Sequence, residues 1–212
     1  MRHLFLAAAF GMAVAACTPA LAGTDRQATY GQVMQPAAHT AFCIHNPGEC
    51  DVVPGSSDMS EATRRGIIHT VNALVNQMVH PQHEGTNAKG ENLNVWQYPT
   101  NRSGDCEDFA LLKQKLLRER GFASADLLLS VVRTDTGGHV VLVVRMADGD
   151  YVLDNLRPEV RLWDAEVYSS GKRRARARGR YRKWVRYTIK ETSYTWVKRQ
   201  SSTDPAIWER LK

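Results

Sequence analysis

After its first 22 residues the 212-residue chain has no apolar run long enough to cross a membrane, no internal repeat and no low-complexity linker. Those absences argue against a later membrane span and a string of domains. They leave one folded domain of roughly 190 residues, enough for a real core. Cysteine is scarce, with four in the chain. Cys43 and Cys50 lie near His45, but no fourth ligand is close by, which weakens a zinc reading. Nor does an aromatic platform interleave with the basic residues, so nucleic acid is a poor match for the net charge of +6.

The first residues do hold a pattern. Arg2 precedes an apolar stretch from Leu4 to Ala16 that is too short for a bilayer, and Ala20-Leu21-Ala22 offers a cleavage site. Residues 1–22 therefore read as a secretory signal and 23–212 as the mature domain. A competing reading uses Val14-Ala15-Ala16-Cys17, which resembles a lipoprotein-type signal and would leave Cys17 lipidated on a membrane. Cleavage after Ala22 leaves Cys43, Cys50 and Cys106. In an oxidising compartment the close pair is expected to form a disulfide, with Cys106 the free thiol.

Cys106 stands in the stretch Ser103-Gly104-Asp105-Cys106-Glu107-Asp108-Phe109-Ala110, where a helix should begin. Phe109, Leu112, Leu116 and Leu117 recur at helical spacing, and Gly121 is placed to stop the helix. A thiol in the first turn meets backbone N–H groups and the positive end of the macrodipole, which favour a thiolate and a developing oxyanion. The bland alternative is a small buried cysteine capped by Asp105, with Asp108 completing a capping pair. Downstream, Gly137-Gly138 turns into His139 and the run Val140 to Val144, and a further strand, Tyr151-Val152-Leu153, ends at Asp154. Cysteine, histidine and carboxylate fit a nucleophile, its general base and the group that orients the base. A loop centred on Met146-Ala147 would set His139 opposite Asp154. A tight Asp148-Gly149 turn would part them by about 13 Å, so the catalytic reading predicts a longer loop or a bulge.

Elsewhere, residues 24–41 read as an irregular lead-in. From Ser60 a helix carries Ile67, Ile68, Val71, Leu74, Val75, Met78 and Val79 on one face until Pro81 ends it. His69, His80 and His83 read as solvated or capping histidines. Residues 83–102 are loop-like, and Trp96 reads as a core anchor in preference to an oxyanion-hole donor. Leu127 to Val132 is a buried strand, and short strands are expected over 184–190 and 194–197. Helix first and antiparallel sheet afterwards is an α+β layout. The run from Lys172 to Lys183 concentrates basic charge in a self-repelling exposed loop, a solvated insertion or an attractor for an anionic envelope partner.

The stretches Gly104 to Ala110, Gly138 to Leu142 and Val152 to Leu156 resemble the bacterial transglutaminase-like cysteine proteinases. The likeness extends to Phe42-Cys43 through Cys50, Asn94-Val95-Trp96, Arg199-Gln200-Ser201, Asp204-Pro205 and Trp208. That resemblance implies a papain-like fold, with the cysteine-bearing helix packed on an antiparallel sheet bearing the histidine and the aspartate. It also implies a triad of Cys106, His139 and Asp154 and proteolysis in the periplasm. In the family's calcium-dependent branch, acidic residues matching Asp105 and Glu107 bind the ion, the substrate is a large surface adhesin, and an inner-membrane protein regulates the enzyme.

The residues supply their own reason for calcium. Asp105 and Glu107 put negative charge beside a thiol that must ionise, and a cation held by hard oxygen ligands would reverse that field. Two carboxylates are too few for a full shell, and Asp108 is a weaker further ligand. The resulting reading is an exported, calcium-dependent cysteine endopeptidase. Its alternatives are an acyl transferase using the same thioester and a non-catalytic calcium-responsive binding protein.

Overall fold

The computed structural model describes residues 26–27, 29–32, 34–86, 88–90, 93–133, 138–163, 183–184 and 197–199. The expected leader and the basic run up to Arg182 lie outside them, as do most of the strands expected over 184–190 and 194–197. In chain order the elements are β1 Thr29–Gln32, α1 Ala37–His45, α2 Glu61–Met78, β2 His80–Pro81, β3 Ser103–Gly104 and α3 Cys106–Arg118. Then follow β4 Leu127–Arg133, β5 Gly138–Met146, β6 Gly149–Leu153, β7 Arg161–Leu162, β8 Lys183–Trp184 and β9 Val197–Arg199. Antiparallel pairing orders one sheet as β7-β6-β5-β4-β8. β1 pairs with β9, and β2 runs parallel to β3. The layout is α+β. Among the described residues no helix is long and apolar enough to cross a membrane.

Both main helices begin where the residue pattern places them. Ser60 caps α2, its hydroxyl accepting from the Thr63 N–H at 3.1 Å, and Ile68, Val71 and Val75 are buried. Phe109, Leu111 and Leu117 of α3 are buried in the same cluster as Val140, Leu142, Val144 and Met146 of β5. The intervening Val141 and Val143 join Leu128, Val132, Val152 and Trp163 in a separate cluster. Alternation thus sends one set of β5 residues to the helices and the other to the far face. A strand covered on both faces reads as an unbroken apolar run.

Two expectations need correction. Residues 24–41 are not irregular: β1 forms there, and α1 opens at Ala37 behind Pro36. β1 depends on β9, which lies far along the chain, and α1 buries His39 beside Phe42, so neither shows an apolar period of its own. The expected disulfide joins Cys43 and Cys50, which takes both thiols from the zinc alternative, and the imidazole beside Cys43 is His39, at 3.9 Å, not His45. The second correction is that the β5–β6 connection is neither a longer loop nor a bulge. Met146 pairs with Gly149 around a two-residue turn, Ala147-Asp148, one residue earlier than the tight turn considered above. In that register Asp154 falls opposite Val141, a diagonal neighbour of His139 on the same side of the ladder, and diagonal neighbours lie close enough for long side chains to meet.

Gly104 has a steric reason to be glycine. A Cβ there would lie 2.6 Å from Asp108 Oδ2 and 2.7 Å from Asp108 Cβ, so β3 can lie against the first turn of α3 only without a side chain. Gly104→Ala is expected to lower stability by about 1–3 kcal/mol, read as a drop in melting temperature. An unchanged melt would show that the turn yields without cost.

Candidate active site

The first turn of α3 carries Cys106 in the position anticipated for it, half-buried and free of any disulfide. Asp105 precedes it in extended conformation, but its side chain makes no cap hydrogen bond, so the capping explanation for that aspartate does not hold. Asp108 accepts from the Asp105 backbone N–H, as its half of the capping pair, and from the Gln97 N–H at 3.2 Å, which ties the 93–99 segment to the helix. The Cys106 sulfur accepts from the Val140 N–H at 3.4 Å and donates to Glu107 Oε2 at 3.0 Å. The first contact places the thiol one residue along the chain from His139.

His139 and Asp154 meet: Nε2 lies 2.9 Å from Asp154 Oδ1, and both side chains are buried. An ionised carboxylate only accepts, so Nε2 carries the proton and Nδ1 is left as the basic nitrogen. No hydrogen bond joins that ring to the Cys106 sulfur, which is engaged by Glu107 and Val140. Asp154 is itself held. Its Oδ1 accepts from the Leu156 N–H at 2.9 Å, and Asn76 Nδ2 donates to the carbonyls of Asp154 and Arg157, each at 2.9 Å. Asn72, one turn earlier on α2, donates to the Pro158 carbonyl at 3.1 Å. Sequence reasoning passed over these two asparagines. Their signal was amide side chains beside Val71 and Val75 on an otherwise apolar helix face.

The acidic residues form a larger group than the pair first singled out. Glu84 joins Asp105, Glu107 and Asp108, and among the described residues no lysine or arginine is ion-paired with any of the four. Burial pushes Glu107 up to about 8, with Asp105 adding repulsion and the thiol hydrogen bond opposing. Burial and the Asp105 charge push Asp108 up to about 7. Burial also raises the Cys106 thiol, and the charge and hydrogen bond of Glu107 raise it further. Asp105 Oδ1 is buried without a hydrogen-bond partner. An orphaned carboxylate oxygen among unneutralised acids fits a hard divalent cation, so Asp105 and Glu107 suit calcium on their own chemistry. A cavity of about 370 Å³ opens alongside, with Glu84, Val95, Gln97, Gly104 and Asp108 in its wall.

Trp96 is buried in the core, edge-on to the His39 ring at 5.3 Å, as an anchor would be. His69, His80 and His83 are exposed.

A thiol at a helix N-terminus, packed on an antiparallel sheet that brings a histidine and an aspartate together, is the architecture of papain-like thiol hydrolases. The chain belongs to the bacterial transglutaminase-like cysteine proteinases, whose family model matches residues 29–189, and it is a cysteine peptidase. Among solved structures it is similar to calcium-bound LapG of Legionella pneumophila, at 21% identity and TM-score 0.43, covering 70% of this chain and 81% of that one. LapG from the same organism is similar at 22% identity and TM-score 0.41, over 62% and 72% of the two chains. The EGTA-treated form gives 22%, 0.41, 62% and 70%. No curated protein sequence matches the chain.

Proposed function

We propose that Cys106, His139 and Asp154 are the nucleophile, general base and orienting carboxylate of an exported, calcium-dependent cysteine endopeptidase. The observation that carries the reading is the 2.9 Å contact between His139 and Asp154, one residue from the Val140 N–H that holds the Cys106 sulfur. Reaction begins when the S–H turns from Glu107 toward the ring and Nδ1 takes its proton. The sulfur attacks the peptide carbonyl, and the proton passes from His139 to the departing amine. A water molecule, deprotonated by the same nitrogen, then releases the acid and returns the thiol. Asp154 keeps the proton on Nε2 and stabilises the imidazolium while it exists.

Asp105 and Glu107 are the residues we assign to calcium. Bound there, the ion would supply positive charge that favours the thiolate. Engaged as a ligand, Glu107 would no longer hold the thiol hydrogen. By resemblance, the substrate is a large surface adhesin or another envelope protein, the workplace is the periplasm after removal of residues 1–22, and an inner-membrane protein regulates the enzyme. The basic run from Lys172 to Lys183 would attract an anionic envelope partner.

The products distinguish hydrolysis from acyl transfer. Incubated with envelope proteins in ¹⁸O-labelled water plus a primary amine, the enzyme is expected to leave new carboxyl termini carrying ¹⁸O. Products that are exclusively amides of the added amine would make it a transferase. Thiol alkylation at Cys106 should stop both.

A further inference from the structure

His39, Cys43 and Cys50 converge at α1. His39 and Cys43 stand four residues apart on one side of that helix, and a 3-10 turn, Pro47–Cys50, returns the chain so that Cys50 reaches Cys43. One ring nitrogen of His39 and the two sulfurs all lie within 4.8 Å of one another. Either ring nitrogen is 3.9 Å from the Cys43 sulfur. The ring is 1% exposed, and burial takes its pKa down to about 4, so it is the neutral base that a metal ion binds. Four residues before it, the Gln35 amide lies 2.9 Å from His39 Nδ1. Turned over, that amide offers its oxygen to an Nδ1–H, the outer-shell partner a ligating imidazole takes. Both arms of the cluster are held without the S–S bond. Phe42, beside Cys43, is buried in the core, and Arg118 of α3 donates to the carbonyls of Gly48 and Asp51, at 3.2 and 3.4 Å, on either side of Cys50. Lys115 and Arg118 also pair with Glu49, at 2.6 and 3.3 Å. The disulfide spans a sequence separation of only 7, and so short a loop constrains the unfolded chain little.

We propose that reduction of the Cys43–Cys50 bond turns this cluster into a site for a zinc-class divalent cation, with the two thiolates and His39 Nε2 as ligands and water in the fourth position. The reductant is a dithiol. One of its thiolates attacks a sulfur of the bond, and its second thiol resolves the mixed disulfide, so that two electrons pass from the dithiol to the cysteine pair. The dithiol leaves as its own disulfide, and Cys43 and Cys50 are left as thiols. Both lose their protons when the cation binds, so each cation displaces two protons. Two soft sulfurs and an imidazole suit zinc, whereas the carboxylates of Asp105 and Glu107 suit calcium. The inference does not depend on the peptidase assignment.

The test uses the whole mature protein carrying Cys106→Ala, so that Cys43 and Cys50 are its only cysteines. It is reduced with dithiothreitol, freed of that reagent without air, and titrated with Co²⁺ and then Zn²⁺. One equivalent of cobalt is expected to give thiolate-to-cobalt absorption in the near ultraviolet and the strong visible bands of a tetrahedral site, and zinc to remove both. The reduced protein should melt higher with zinc than without it. Gln35→Ala should weaken zinc by about 10–100-fold, as loss of an outer-shell partner does, and His39→Ala by more. His45→Ala, at an exposed position, should change nothing. Histidine NMR reads the ligand set even where His39→Ala does not fold, because zinc should shift the His39 ring signals. No thiolate-to-cobalt absorption after reduction overturns the proposal, as does equal absorption with the disulfide closed. A His39 ring that zinc leaves unmoved also overturns it. So does a chain that unfolds on reduction and is not restored by zinc.

Discussion

Cys106→Ala is expected to abolish peptide cleavage while leaving the melting transition almost where it was. The thiol makes two weak contacts, to the Val140 N–H and to Glu107, and it sits half-buried at a helix start where alanine is well tolerated. Its loss changes stability by no more than about 1 kcal/mol. Activity falls by about 10⁴-fold or more, because every covalent step passes through that sulfur. His139→Ala should fall nearly as far, and the double variant no further than either single one, since the two groups act as a unit. The check is cleavage of envelope proteins followed by mass spectrometry, beside thermal melts of all three variants. Cleavage surviving in Cys106→Ala at more than a small fraction of the wild-type rate would remove the nucleophile from the mechanism.

Removing calcium is expected to have the second large effect. With chelator the thiol stays a donor to Glu107 beside the charge of Asp105, and cleavage and thiol labelling at neutral pH should fall by about 10–100-fold, the equivalent of raising the thiol pKa by about one to two. Asp105→Asn should lower activity even with calcium present. Glu107→Gln carries a sharper signature, because it removes the carboxylate charge and leaves only a weaker, neutral amide acceptor for the thiol. In chelator its Cys106 should therefore label faster than the wild type's, while added calcium should change it little. The stability signs follow. Glu107 and Asp108 are raised above their ordinary values of 4.5 and 3.8, so the native state binds the extra protons and calcium-free stability declines as pH rises from about 4 to about 8. Calcium should flatten that decline and raise the melting temperature, adding about 2.7 kcal/mol to the unfolding free energy at a hundredfold excess over its dissociation constant. Melts at several pH values with and without the ion measure both. A wild type indifferent to calcium in melting and labelling would discard the ion.

Much of this site was legible along the chain. A Gly-Asp before an apolar 3.6-period marks where α3 starts, and that alone places Cys106 in a first turn. A glycine pair before a β-branched run places His139 at a strand mouth, and the close Cys43 and Cys50 pair announces its disulfide. Other features were invisible because they are relations between distant residues. The catalytic register was misjudged by a single residue: with Met146 paired to Gly149, His139 and Asp154 meet as diagonal neighbours, a possibility that counting from a turn centre did not include.

By itself, then, the sequence determined local period and punctuation, the α+β order of elements, the free thiol and the three residues worth joining, because helical and strand periods are written in adjacent residues. Only the tertiary structure decided what depends on separation in space. It set the β5–β6 register, and it turned Asn72 and Asn76 of α2 onto the loop behind Asp154. It added Glu84 to the acidic group and sealed Lys113 in the interior with no partner. A residue's burial and charge environment are sums over neighbours brought in by folding, so no pattern of near neighbours along the chain encodes them.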